Sequence, residues 1–228
     1  MILGDLPRRA LAEAFAAFVL VFAGCGAIVA NAHYEETLGT VGIALAFGLA
    51  IMVMVYATGH LSGAHINPAV TVAFTLTRHF PRRDALAYIP AQLAGATAAA
   101  LLLRAAWPAE PGALGATIPT VAAAIALGYE VILTAFLMFV VMAVATYTRA
   151  VGAAAAIAIG GTVGLDALFG GPVTGASMNP ARSFGPALAA WEWQDFWVYI
   201  VGPLSGAALG AQAYQLVRGE HPKTALPH

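Results

Sequence analysis

The sequence predicts an all-α membrane protein in which six transmembrane helices and two re-entrant half-helices form an inverted repeat. Three observations predict it. The 228-residue chain is 61% hydrophobic and only 9% charged, where a soluble domain carries about 25% charged residues. Its mean hydropathy is +0.81. Six nearly uncharged stretches are long enough to cross roughly 30 Å of hydrocarbon. Finally, the tripeptide Asn-Pro-Ala occurs twice in similar surroundings, as Asn67-Pro68-Ala69 and Asn179-Pro180-Ala181.

The composition also excludes. There is too little polar side chain to coat a water-soluble globule, so the solvent is the lipid bilayer. A net charge of -1 removes the basic footprint of a nucleic-acid binder. A single cysteine, Cys25, leaves no intramolecular disulfide and no cysteine-based zinc site. No cofactor and no metal is expected. His60 and His65 lack further ligands, and no HExxH, GxSxG or carboxylate pair beside a nucleophile suggests an enzyme.

In chain order, the expected spans are 10–30, 38–58, 85–103, 121–145, 151–169 and 196–217. The first follows Arg8 and Arg9, but Glu13 interrupts its apolar run, so it reads as a retained helix and not a cleaved signal. Two apolar segments, 67–76 and 179–190, are too short to cross: at about 1.5 Å per residue they reach about half of the hydrocarbon. With six crossings, both termini share one face, together with Arg8, Arg9, Arg78, Arg82, Arg83, Arg149, Arg218 and Lys223. Both termini are therefore expected to be cytoplasmic.

The halves repeat. GHLSGAHINPAVT, from Gly59, matches GPVTGASMNPARS, from Gly171, and AQLAGA at Ala91 matches GPLSGA at Gly202. Three crossings per unit force the second copy to enter from the opposite face. The whole chain is thus one channel domain built of inverted repeats over approximately 8–107 and 117–218. In each unit Asn is a strong N-cap and Pro suits the first helical position. The preceding stretches, Gly63, Ala64 and His65 up to Ile66, and Gly175, Ala176 and Ser177 up to Met178, are expected as extended backbone lining a wet path with their carbonyls. The amides of Asn67 and Asn179 supply donors at its centre. Two facing helix N-termini place positive potential there, about half a charge each. Cations are repelled and neutral hydrogen-bonding solutes are not.

SGAHINPAVT and TGASMNPARSFGPA, at this separation and among these spans, resemble the major intrinsic protein family, the aquaporins and glycerol facilitators, over essentially the whole length. The charge barrier above is the one described for aquaporin-type pores. The resemblance implies one pore per chain, usually in a homotetramer, passing water and small neutral solutes. It implies a selectivity filter at Phe47, Ala167, Ala176 and Arg182, and loop-supporting roles for Glu13, Glu130 and Gln92. Where strict water channels usually have His, this chain has Ala167, which opens the aperture. Glycerol facilitators resemble it less, with Asp at Ser183 and Trp at Phe47. The stretch leading into the first box, and Tyr199-Ile200, look most like the nodulin-26-like branch and its bacterial relatives, which pass water, glycerol and undissociated metalloid acids. Phe47 departs from the Trp, Ala or Gly usual there. The alternatives are a strict water channel or an active carrier. Asp166 is expected to shape the vestibule, cap a loop or charge the filter. Ala, Arg and Gly usage points to a bacterial inner membrane.

Overall fold

The computed structural model describes residues 4–146 and 154–218. Eight α-helices form among them: α1 (Asp5–His33), α2 (Gly39–Ser62), α3 (Pro68–Leu76), α4 (Arg82–Ala106), α5 (Ala123–Thr146), α6 (Ala155–Thr174), α7 (Pro180–Ala190) and α8 (Val198–Arg218). Five of these are long and apolar enough to cross a membrane. The sixth crossing, α8, has 21 residues, a rise of about 31 Å. The expected start at Val151, and Arg149 and Lys223 of the charge count, lie outside the described residues.

The chain is dressed for lipid. Leu45, Leu49, Leu165 and Leu209 face outward, whereas Glu13, Gln92, Glu130, Asn67, Asn179 and Arg182 are each 4% exposed or less. Most buried polar groups in proteins are hydrogen-bonded, and the partners of these six create the site described below.

Packing follows the repeat. Helix α1 lies chiefly against α4 and α5 against α8, while α2 meets α6 at the centre. Each half-helix packs on the last helix of the other unit, α3 on α8 and α7 on α4. Glycine sets the close approaches. A Cβ on Gly95 would stand 1.9 Å from the Ala14 carbonyl, and one on its counterpart Gly206 would stand 2.3 Å from that of Val131. At the centre, Gly48 and Gly160 face each other reciprocally: a Cβ on either would come within 2.8 Å of the other's carbonyl oxygen.

Helices α2 and α6 run one turn past their expected ends at Thr58 and Phe169. Gly59 and the Gly170-Gly171-Pro172 run read as stops in the sequence, yet helix continues through them. The left-handed C-caps are Gly63 (φ 88°) and Gly175 (φ 85°), as glycine beyond the last helical residue prefers.

Candidate pore

The two short helices begin where the sequence places them. Asn67 Oδ1 accepts the Ala69 amide (2.8 Å), and Asn179 Oδ1 accepts those of Ala181 (3.0 Å) and Arg182 (3.3 Å). Each cap is worth about 1 kcal/mol. The other end of each amide crosses to the opposite unit. Asn67 Nδ2 donates to the Met178 carbonyl (2.7 Å) and Asn179 Nδ2 to the Ile66 carbonyl (3.1 Å). These reciprocal bonds lock the two helix starts together, and each NH2 keeps a second N–H.

The stretches before the boxes are not extended, contrary to the expectation. Gly63, Ala64 and Ile66 have positive φ, and so do Gly175, Ala176 and Met178. A non-glycine residue there costs on the order of 1–3 kcal/mol, and β-branched Ile66 is an especially poor fit. What offsets the strain is a buried carboxylate in each unit. Glu13 accepts from Ser62 Oγ (2.6 Å), the amides of His65 (2.9 Å) and Ile66 (2.6 Å), and Gln92 Nε2 (2.8 Å). Glu130 accepts from Thr174 Oγ1 (2.7 Å) and the amides of Ser177 (2.9 Å) and Met178 (2.8 Å). Charge-assisted hydrogen bonds contribute about 1.5–3 kcal/mol each, enough for three or four to outweigh two left-handed residues. The turned backbone thus directs amides to the carboxylates. The carbonyls of Gly63, Ala64, His65, Gly175, Ala176 and Ser177 accept no hydrogen bond from the described residues.

All of these residues but Gly175 border one cavity. It runs from Ala145, at the end of α5, past both asparagines to Phe47, Ala167, Ala176 and Arg182. The opposite wall is apolar, with Ile51, Val55, Val141, Ile159 and Val163. Its water-accessible space is only about 60 Å³. Beyond Phe47 and Ala167 it meets a bowl of about 310 Å³ floored by Ile43, Ala116, Ile118 and Gly175. All four predicted filter residues line the thread, and two of them, Phe47 and Ala167, also line the bowl and so mark the junction.

Arg182 is 2% exposed and forms no ion pair with a described carboxylate. Its Nη1 donates to the Gly115 carbonyl (2.7 Å), and its guanidinium carbon lies 4.8 Å from the Phe47 ring centre. Its positive charge therefore meets a carbonyl and an aromatic face at the narrowing, with no carboxylate in direct contact among the described residues. On the other side of the boxes, His65 lines the cavity with Nδ1 3.1 Å from Thr71 Oγ1. Its ring packs against Phe74, Phe80 and Tyr88. His60 is exposed, apart from this cluster, and no metal-binding group occurs among the described residues.

A model of the major intrinsic protein family matches residues 4–214. The chain belongs to this family. It is 53% identical to Aquaporin NIP1-4 of Oryza sativa subsp. japonica, over 91% of this chain and 76% of that protein. It is 49% identical to Aquaporin NIP1-1 of Zea mays, over 92% and 75%, and 46% identical to Nodulin-26 of Glycine max, over 92% and 78%. The fold matches the X-ray structure of the aquaglyceroporin from Plasmodium falciparum with a TM-score of 0.80, covering 92% of this chain and 95% of that one at 24% identity. The nodulin-26-like resemblance and the family fold therefore hold. The named relatives are plant proteins, which overturns the expectation of a bacterial inner membrane. Alanine, arginine and glycine content carries no information about compartment, and the chain stands as an integral membrane protein.

Several structural roles escaped the sequence reading. Tyr88 donates to the Ser62 carbonyl (2.8 Å) and Tyr199 to that of Thr174 (2.7 Å). The two tyrosines recur at the repeat spacing, a signal that could have found them. Gly24 seats the Phe47 ring, since a Cβ there would meet it at 2.2 Å. The loop between α4 and α5 docks on the second unit: Thr117 Oγ1 donates to Ser183 Oγ (2.8 Å), and Gly115 receives Arg182. Asp166 neither shapes the vestibule nor caps a loop. It is fully buried, borders neither cavity, and neither carboxyl oxygen has a partner among the described residues.

Proposed function

We propose that this chain is a passive transmembrane channel for water and small uncharged solutes, glycerol or undissociated metalloid acids, which excludes protons and ions. The observation that carries the reading is the pair of helix starts bonded to each other beside a narrow two-faced path. Free carbonyls and the spare amide hydrogens of Asn67 and Asn179 replace part of a solute's hydration, while the aliphatic wall keeps the path slippery. The N-terminal ends of α3 and α7 and the unpaired Arg182 oppose cations. Nothing at the boxes can exchange protons, because asparagine amides do not titrate, so no ion gradient has a coupling site there.

In this reading Phe47, Ala167, Ala176 and Arg182 form the filter. Arg182 offers a fixed fork of donors to a passing hydroxyl, and Phe47 holds the solute's carbon face. Two alanines leave room beyond a single water. Family resemblance extends the reading to a homotetramer with one pore per copy.

A solute panel tests it. Stopped-flow swelling of vesicles carrying the full chain should show non-saturating flux of water, glycerol and boric or arsenous acid. Water flux alone would favour the strict water channel, and saturable flux driven by an ion gradient would establish a carrier.

A further inference from the structure

One charged residue outside the cavity touches both structures that hold Arg182 in place. Arg104, in the last turn of α4, donates through Nη1 to the carbonyl of Ala189, at the far end of α7. Its Nη2 lies 3.1 Å from Glu110 Oε1, at the foot of the turn Pro111–Gly115. Helix α7 carries Arg182 in its first turn, and Gly115 supplies the carbonyl that receives the Arg182 side chain. The two acceptors of Arg104 are therefore the base of the helix that presents the filter arginine and the base of the loop that catches it.

The loop needs such a hold. Glu110, Gly112, Ala113, Leu114 and Gly115 all have positive φ, a conformation that does not persist unless its surroundings impose it. Leu114 is fully buried and Gly115 presses on Cys25, where a Cβ would come within 2.6 Å of the cysteine Cβ. That packing fixes the loop against α1. Relative to the first turn of α7 the loop is held by Thr117 on Ser183, and relative to the last turn of α7 by Arg104, which joins Ala189 to Glu110. A planar guanidinium suits the task, because its nitrogens can serve two acceptors in a fixed relative orientation. Its place at the C-terminal end of α7 also complements the helix dipole.

We propose that Arg104 and Glu110 form a clasp that positions Arg182 and thereby sets the aperture of the filter. Arg104 touches no solute; it is a positioning residue. The inference rests on the assignment of Arg182 to the filter. Loosening the clasp frees the Arg182 side chain from Gly115 and widens the narrowing for solutes larger than water.

The test uses the full chain in vesicles, as Arg104→Gln and Glu110→Gln, each alone and combined with Arg182→Val. The readout is the ratio of glycerol to water permeability, which is independent of the amount of protein inserted. Either clasp variant should raise the ratio by roughly threefold or more, as coupled neighbours do, and should add nothing once Arg182 is gone. Glu110→Gln breaks only the ion pair and keeps the Arg104 bond to Ala189, so it remains informative if Arg104→Gln inserts poorly. An unchanged ratio in Glu110→Gln, or the same increase with and without Arg182, would overturn the clasp. If Arg182→Val alone leaves the ratio unaltered, the filter assignment itself falls and takes the clasp with it.

Discussion

The two units share a scaffold and differ in what they place on it. Glu13 and Glu130, Ser62 and Thr174, Tyr88 and Tyr199, and Asn67 and Asn179 make corresponding hydrogen bonds in each half. Around them the halves diverge. Where the second unit has Arg182, the first has Val70. Where the first has Gln92 donating to Glu13 and Thr71 Oγ1 (2.8 and 3.0 Å), the second has Pro203, and Thr117 reaches Ser183 instead. One half brackets its loop with a histidine among aromatic rings, the other with an arginine over a single ring. The halves match in the groups that hold the backbone of the path and differ in the side chains set beside it.

The sharpest way to break this comparison is to remove a symmetric element. Glu13→Ala strands four donors and Glu130→Ala three. At about 1–3 kcal/mol per unsatisfied buried group, either loss rivals a total stability of roughly 5–15 kcal/mol. Both variants should yield little folded protein in detergent, Glu13→Ala least of all; a wild-type melting temperature for either would remove the carboxylates from the scaffold.

The asymmetric positions should alter selectivity and leave folding intact. Arg182→Val copies the first unit onto the second, and vesicles held under an applied potential should then leak protons or cations. Exclusion as tight as in the parent would deny Arg182 its barrier. Ala167→His narrows the same level from the facing helix. Glycerol flux should drop about tenfold, at the lower end of what small steric changes give, while water flux is spared. Equal losses of both would place the constriction elsewhere. The smallest effect belongs to Gln92→Met, which makes the first unit resemble the second by withdrawing one donor from Glu13. A loss near 1 kcal/mol lowers the melting temperature by about 2–4 °C, and an unchanged one would mean that Gln92 only fills space.

Much of this was legible before any coordinates, because lipid imposes simple rules on sequence. Length and charge located the spans, and duplication located the paired boxes. The intramembrane glutamates announced themselves by the cost of burying charge. What stayed hidden depended on backbone handedness and on non-local contacts. Ala64, Ile66, Ala176 and Met178 adopt positive φ although nothing in their side chains favours it, since carboxylates on other helices impose it. Gly115 receives Arg182 from 67 positions away, and no local pattern reports that distance. Asp166 shows the opposite case, conspicuous in the sequence and yet without a partner among the described residues.

At the reciprocal contact of Gly48 with Gly160, each residue looks across at its own counterpart. A side chain at either position would press on the backbone of the other unit. The seam therefore admits no size change on one side alone, in contrast to Val70 and Arg182, which differ freely at matching places.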